Sequence, residues 1–141
     1  MFKPTTKVLV VDDFKTMRKI VMAALATAGL TNVTEADDGA VAWPLIESSV
    51  ADKAPFELVI SDWNMPKMQG IELLKRVREF PLTANTPFLL VTAEAEQKNI
   101  IEAEKLGVSR YIVKPYSPGT LKDKLVGVYQ RHHGAKKGWM A

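Results

Sequence analysis

A chain of 141 residues with 47% hydrophobic and 25% charged side chains has the make-up of one ordinary soluble domain with a real core. It contains no cysteine, which excludes a disulfide framework and any thiolate metal site, and its N-terminal aliphatic run, Val8–Val11, is too short for a signal peptide or a membrane span. A cytoplasmic protein with no membrane association is therefore expected. The net charge of +3 is unevenly placed, because from Arg110 onward seven Lys/Arg face a single acid, Asp123. Such a run can mark nucleic acid or an acidic partner, and it can equally be a solvated helix face followed by a tail.

Short apolar runs alternate with amphipathic segments. The first run, KVLVV (7–11), leads past Asp12-Asp13 into a helical stripe of Met17, Ile20, Val21, Ala24, Leu25 and Ala28 that stops at Gly29. NVTEA (32–36) reads as a second strand. The segment 39–48 that follows is a weak helix, since Pro44 breaks or bends helices, and 47–55 reads as a loop-like connector. ELVIS (57–61) is the third strand, followed by a helix over about 70–78 with Ile71, Leu74 and Val77 on one side. PFLLV (87–91) precedes a helix over about 96–106 that ends at Gly107. RYIVK (110–114) precedes a last helix that starts near Pro118 and aligns Leu121, Leu125, Val128 and Tyr129. After Gln130 the sequence RHHGAKKGWMA predicts a frayed basic tail, so the domain is expected to occupy 1–130 and the tail 131–141.

Five strand–helix repeats with nearly continuous apolar strands imply right-handed crossovers and a doubly wound α/β fold. Ligands in such sheets bind beyond the carboxyl ends of the strands. There the chain carries Asp12-Asp13 after the first strand, Asp62 after the third, Thr92 after the fourth and Lys114-Pro115 after the fifth. Each residue alone has an ordinary explanation: Asp13 as a helix cap, Thr92 in a turn, Lys114 in solvent. Their joint arrival on one rim is the functional signal. Three clustered carboxylates repel unless a cation joins them, and an all-oxygen donor set suits Mg²⁺. With an ammonium and a hydroxyl added, the set suits phosphoryl transfer to a carboxylate nucleophile. Asp62 is the choice for that nucleophile, with Asp12 and Asp13 holding the metal.

These motifs resemble the receiver domains of two-component response regulators. The resemblance covers about residues 7–130 and rests on VLVVDDFKTMRKIV, TEADDG, VISDWNMPKMQGIELL, LLVTAEA and KNIIEAEKLGVSRYIVKP. DDF-TMR, SDWNMP, VTAEA and Tyr-x-Val-Lys-Pro narrow it to the chemotaxis (CheY) branch. It implies a flavodoxin-like (βα)5 fold with a five-stranded parallel sheet in the order 2-1-3-4-5. It also implies that Asp62 accepts a phosphoryl group from a CheA-type histidine kinase or a small acyl phosphate. Asp13 and Asp62 would ligate Mg²⁺ with the main-chain carbonyl of Asn64, and Asp12 would act mainly through a bound water. Thr92 and Lys114 would contact the phosphoryl oxygens, across a cis Lys114–Pro115 peptide. Tyr111 would be the switch aromatic that follows Thr92, and Asn64 and Glu94 would tune hydrolysis, with or without a phosphatase. The output face, residues 95–130, would bind the flagellar switch protein FliM and so control rotation. The resemblance implies a monomer that acts by protein contact without nucleic acid, and a self-modifying phosphoacceptor rather than a turnover enzyme.

The chain departs from that pattern at Gln69, where an acid is common, at Pro44, and in the connector around 47–55. The tail with His132, His133, Lys136, Lys137 and Trp139 has no counterpart in it, and the two histidines lack a third metal ligand nearby. Three other readings compete. One is a stand-alone receiver that drains phosphate or serves a non-flagellar partner. Another is an aspartyl-phosphate phosphohydrolase, although those usually carry Asp-x-Asp after the first strand. The third is a flavodoxin-like cofactor binder, which lacks its phosphate loop here.

Overall fold

The computed structural model describes residues 2–93 and 97–133. Five strands, β1 (Val8–Val11), β2 (Val33–Ala36), β3 (Leu58–Asp62), β4 (Phe88–Thr92) and β5 (Arg110–Val113), alternate with five helices. The helices are α1 (Lys15–Thr27), α2 (Gly39–Ala51), α3 (Gly70–Glu79), α4 (Gln97–Lys105) and α5 (Pro118–His133). All strand pairs are parallel, and the sheet order is β2-β1-β3-β4-β5. This is the flavodoxin-like (βα)5 arrangement expected from the sequence.

The apolar runs of β1, β3 and β4 are buried along their whole length, because each strand has helices on both faces. Side chains alternate across the pleat and so build two cores. Leu9, Val11, Val59, Phe88 and Leu90 meet Ile46, Leu73, Leu74, Val77 and Ala103 from α2, α3 and α4. Val8, Val10, Leu58, Ile60, Leu89 and Val91 meet Val21, Leu25, Leu121, Leu125 and Val128 from α1 and α5. The edge strands β2 and β5 are less buried, in keeping with their shorter apolar runs.

Several expectations need correction. The segment 47–51 is helical rather than loop-like, and α2 passes through Pro44. Proline lacks the N–H that would reach the carbonyl of Ala40, so one helical hydrogen bond is forgone. Asp38 offsets part of this by accepting from Val41 N at 3.0 Å, and Ala42 and Ile46 are buried against the sheet. Trp43 also packs edge-on against Phe80, with ring centroids 5.7 Å apart. Tertiary packing overrides the local penalty.

In α1 the stripe is rotated. Ile20 is 48% exposed, whereas Arg18 turns inward and is 9% exposed. Asp13 does not cap this helix, because Phe14 is its cap residue, without a side-chain bond. At the other end, residues 131–133 continue α5 rather than fraying, and residues 134–141 lie outside the described part. Ser109 helps to hold the helix there. Arg131 Nη1 donates to Ser109 O at 3.1 Å, and the His132 ring lies 2.6 Å from Ser109 Oγ.

Candidate functional site

Register places the rim. Asp62 lies opposite Val91 and Thr92 opposite Val113, so the ends of β3, β4 and β5 form one ledge. β1 ends one residue before Asp12, and Asp12 N donates to Ala36 O at 3.1 Å, which anchors the Asp-Asp pair to β2. The rim thereby collects Asp12, Asp13, Asp62, Thr92 and Lys114, the strand-end residues singled out by sequence.

One oxygen from each of Asp12, Asp13 and Asp62 lies within 4.8 Å of the others. Lys114 Nζ donates to Asp62 Oδ1 at 3.1 Å and stands 3.9 Å from Asp12 Oδ2. Main-chain donors orient the carboxylates: Phe14 N reaches Asp12 Oδ1 at 2.9 Å, and Trp63 N reaches Asp62 Oδ1 at 3.0 Å. Burial raises the pKa of Asp12, and the charge of Asp62 adds to that, against the Phe14 bond and Lys114. Burial likewise raises Asp62, opposed first by the Lys114 charge. Negative charge is therefore costly here, which is the condition under which a cation binds. The donor set fits a hard divalent ion on a further ground. Asp13 Oδ1 is buried and has no hydrogen-bond partner, and a buried carboxylate oxygen needs one.

The remaining residues sit around this core. Thr92 is 6% exposed, and its carbonyl accepts from Lys114 N at 2.7 Å, which ties the end of β4 to that of β5. The Lys114–Pro115 peptide is cis. Asn64 is exposed in the loop after Asp62. Tyr111 is half-buried on β5 against the core, with Lys124 Nζ 5.6 Å from its ring centroid. Glu94 lies outside the described residues.

Three residues escaped the sequence reading. Arg18 donates to Glu35 Oε1 at 2.9 Å and to the Asp12 carbonyl at 2.7 Å, and so steadies the acidic turn from α1. Its spacing from Val21 and Leu25 places it on the buried stripe, but a charge there reads as an interruption. Gly70 starts α3 against Asp62, and a Cβ added there would run into the Asp62 carbonyl oxygen. Tyr116 packs beneath the rim, and its hydroxyl is buried without a partner. No sequence signal separates it from an ordinary aromatic.

The response regulator receiver domain model matches residues 8–126. The chain belongs to the response regulator receiver family. Chemotaxis protein CheY-3 of Vibrio cholerae is 48% identical over 125 residues, spanning 89% of this chain and 92% of that one. Chemotaxis protein CheY of Pseudomonas aeruginosa is 44% identical over 128 residues, spanning 91% and 99%. Among solved structures, Vibrio cholerae CheY4 superposes with a TM-score of 0.76 at 37% identity, covering 87% of this chain and 98% of that one. The Francisella response regulator 1452 receiver domain gives 0.77 at 32% identity, covering 90% and 98%. This receiver is accordingly of the CheY type. Among the described residues, no helix is long and apolar enough to cross a membrane.

Proposed function

We propose that this receiver is a phosphorylation switch in which Asp62 takes a phosphoryl group from a CheA-type histidine kinase. The observation that carries the reading is the placement of Asp62. Its carboxylate ends the central strand, beside one ammonium and two further carboxylates with an orphaned oxygen. An Asp62 oxygen attacks phosphorus, the bond from phosphorus to the donor imidazole nitrogen breaks, and the electron pair leaves with that nitrogen. Lys114 pairs with the new phosphoryl oxygens, and Thr92 donates to them. Asp12 and Asp13, with Asp62 and the Asn64 carbonyl, would hold Mg²⁺, which when bound neutralises charge on the transferring group.

Thr92 and Lys114 are joined through their main chains, Lys114 N donating to Thr92 O at 2.7 Å, so a pull on either side chain strong enough to shift its backbone is passed to β5. Tyr111 on β5 is then the reporter that alters the face over 95–130. That face has six Lys/Arg against four acids, a surplus that suits an acidic helix, for which a FliM-like flagellar switch segment is the chosen partner. The protein acts in the cytoplasm as a self-modifying phosphoacceptor rather than a turnover enzyme.

Intact-mass measurement after acetyl phosphate and Mg²⁺ tests the acceptor, comparing wild type with Asp62→Asn. An adduct on wild type alone supports the reading, and an equal adduct on both rejects it. A pull-down with a FliM N-terminal peptide tests the output. Equal capture with and without phosphorylation would remove the switch.

A further inference from the structure

Beneath the rim, a narrow crevice runs between β1, β3 and α1. Its lining includes Asp12, Met17, Val21, Asp62, Lys114 and Tyr116, and it is too tight to admit a water molecule. Among all the residues that line it, only Lys114 and Tyr116 carry side-chain hydrogen-bond donors. Lys114 is engaged with Asp62 at 3.1 Å and lies beyond hydrogen-bond distance from Asp12 Oδ2, at 3.9 Å. The Tyr116 hydroxyl is buried and unpartnered, and the charges of Asp12 and Asp62 both act on it. A buried hydroxyl with no partner and no room for water is rare in a folded protein. It is a donor held in reserve.

We infer that Tyr116 is a positioning residue of the phosphorylated state: its hydroxyl donates to the Asp12 carboxylate once the phosphoryl group has drawn Lys114 away. This rests on Asp62 being the phosphoacceptor. In the resting protein, Lys114 supplies the positive field shared by Asp12 and Asp62. On phosphorylation that ammonium turns to the phosphoryl oxygens, and the Asp12 carboxylate, 3% exposed and otherwise facing the metal, loses the ammonium that stood 3.9 Å from it. Tyr116 is the other donor in the crevice, two residues beyond Lys114. A shift of Lys114 carries Tyr116 with it through the short connecting backbone. The bond would keep Asp12 aimed at the metal while the acyl phosphate lasts.

Tyr116→Phe removes the hydroxyl and keeps the ring. The measurement is the dissociation constant for beryllofluoride with Mg²⁺, a phosphoryl analogue, followed by the change in intrinsic tryptophan fluorescence, Trp63 lying next to Asp62. The melting temperature without ligand is recorded in parallel. The expected result is analogue binding about tenfold weaker, the value of one hydrogen bond to a charged group, with an unchanged or higher melting temperature. The Mg²⁺ affinity measured without analogue should be the same in wild type and Tyr116→Phe, because the bond forms only with the phosphoryl group in place. Equal analogue affinity in wild type and Tyr116→Phe overturns the inference. So does a lower melting temperature of the unliganded variant, which would mean that the hydroxyl is already paired at rest. A weaker Mg²⁺ affinity of Tyr116→Phe without analogue overturns a bond confined to the phosphorylated state. Failure of the underlying phosphoacceptor reading is separately visible, since the wild type would then bind no analogue, and the inference would fall with it.

Discussion

At the carboxyl end of the sheet two of three clustered carboxylates share one ammonium, and two buried oxygens, Asp13 Oδ1 and Tyr116 Oη, have no partner. At the amino end, beneath β4 and β5, an equally polar cluster is closed on itself. Ser109 Oγ accepts from Phe88 N at 3.0 Å and lies 2.6 Å from the His132 ring. Arg78 donates to Gly107 O at 2.8 Å and to Thr86 O at 2.6 Å, and Arg131 donates to Ser109 O. Both ends bury charge. The amino end spends it on joining α3, β4, β5 and α5, whereas the carboxyl end leaves valence open for a ligand. Unsatisfied polarity marks the part of a fold that works, and satisfied polarity the part that holds.

Substitutions at the two ends should separate these roles. The largest effect is expected from Asp62→Asn, which should abolish the acetyl phosphate adduct in mass spectra. In the absence of metal it should also raise thermal stability by about 1 kcal/mol, because one member of a repelling, desolvated cluster is neutralised. A loss of stability instead would mean that the Lys114–Asp62 pair is net structural. Next, Gly70→Ala should cost about 2 kcal/mol or more, since the new methyl meets the Asp62 carbonyl. The adduct should form more slowly, as the nucleophile's backbone is displaced. Denaturant melts and adduct time courses on the same preparation read both.

Lys114→Ala should still accept phosphate, but phosphate-dependent capture of the partner peptide should fall about tenfold, the value of one charge-assisted bond. Unaltered capture would show that β5 responds without the ammonium.

At the amino end, His132→Ala should cost about 1–2 kcal/mol by leaving the Ser109 hydroxyl short of a partner, with no change in adduct formation.

The smallest effects are those of pH, and they run in opposite senses at the two ends. Burial, with the Arg78 charge, lowers the His132 pKa from its ordinary 6.5 to about 4. The unfolded chain therefore binds a proton that the folded one refuses between these values. Stability is full above pH 6.5, falls as pH drops toward 4, and this contribution levels off below that. The raised carboxylates Asp12 and Asp62 act the other way, because protonation as pH falls through their raised values relieves first the cost of burying their charge and then the repulsion from neighbouring carboxylates. His132→Gln should flatten the first limb and Asp62→Asn should weaken the second. Stability curves from pH 4 to 7 at fixed salt distinguish them.

The legibility of this chain in sequence follows the same division. The strands were readable because burial on both faces demands unbroken Val, Ile and Leu. The rim was readable because parallel strands all deliver their carboxyl ends to one side, so Asp12, Asp62, Thr92 and Lys114 had to converge. Helix α2 was legible as a helix but not in its full length, because Pro44 is a local penalty, while Ala42, Ile46 and Trp43 offset it through contacts distant in sequence. The end of α5 was misjudged for the same reason, since Arg131 and His132 are fixed by Ser109, more than 20 positions earlier.

Sequence by itself determined the fold class, the polarity of the sheet and the residues at its working rim, because periodicity and strand direction are properties of local chain order. Only the tertiary structure decided which of those polar groups are satisfied. It showed Arg18 turned inward to Asp12, Gly70 pressed on the Asp62 carbonyl, and Tyr116 with its hydroxyl unpaired. Hydrogen-bond satisfaction depends on distances of a few tenths of an ångström between residues far apart in the chain, and no pattern along the sequence encodes them.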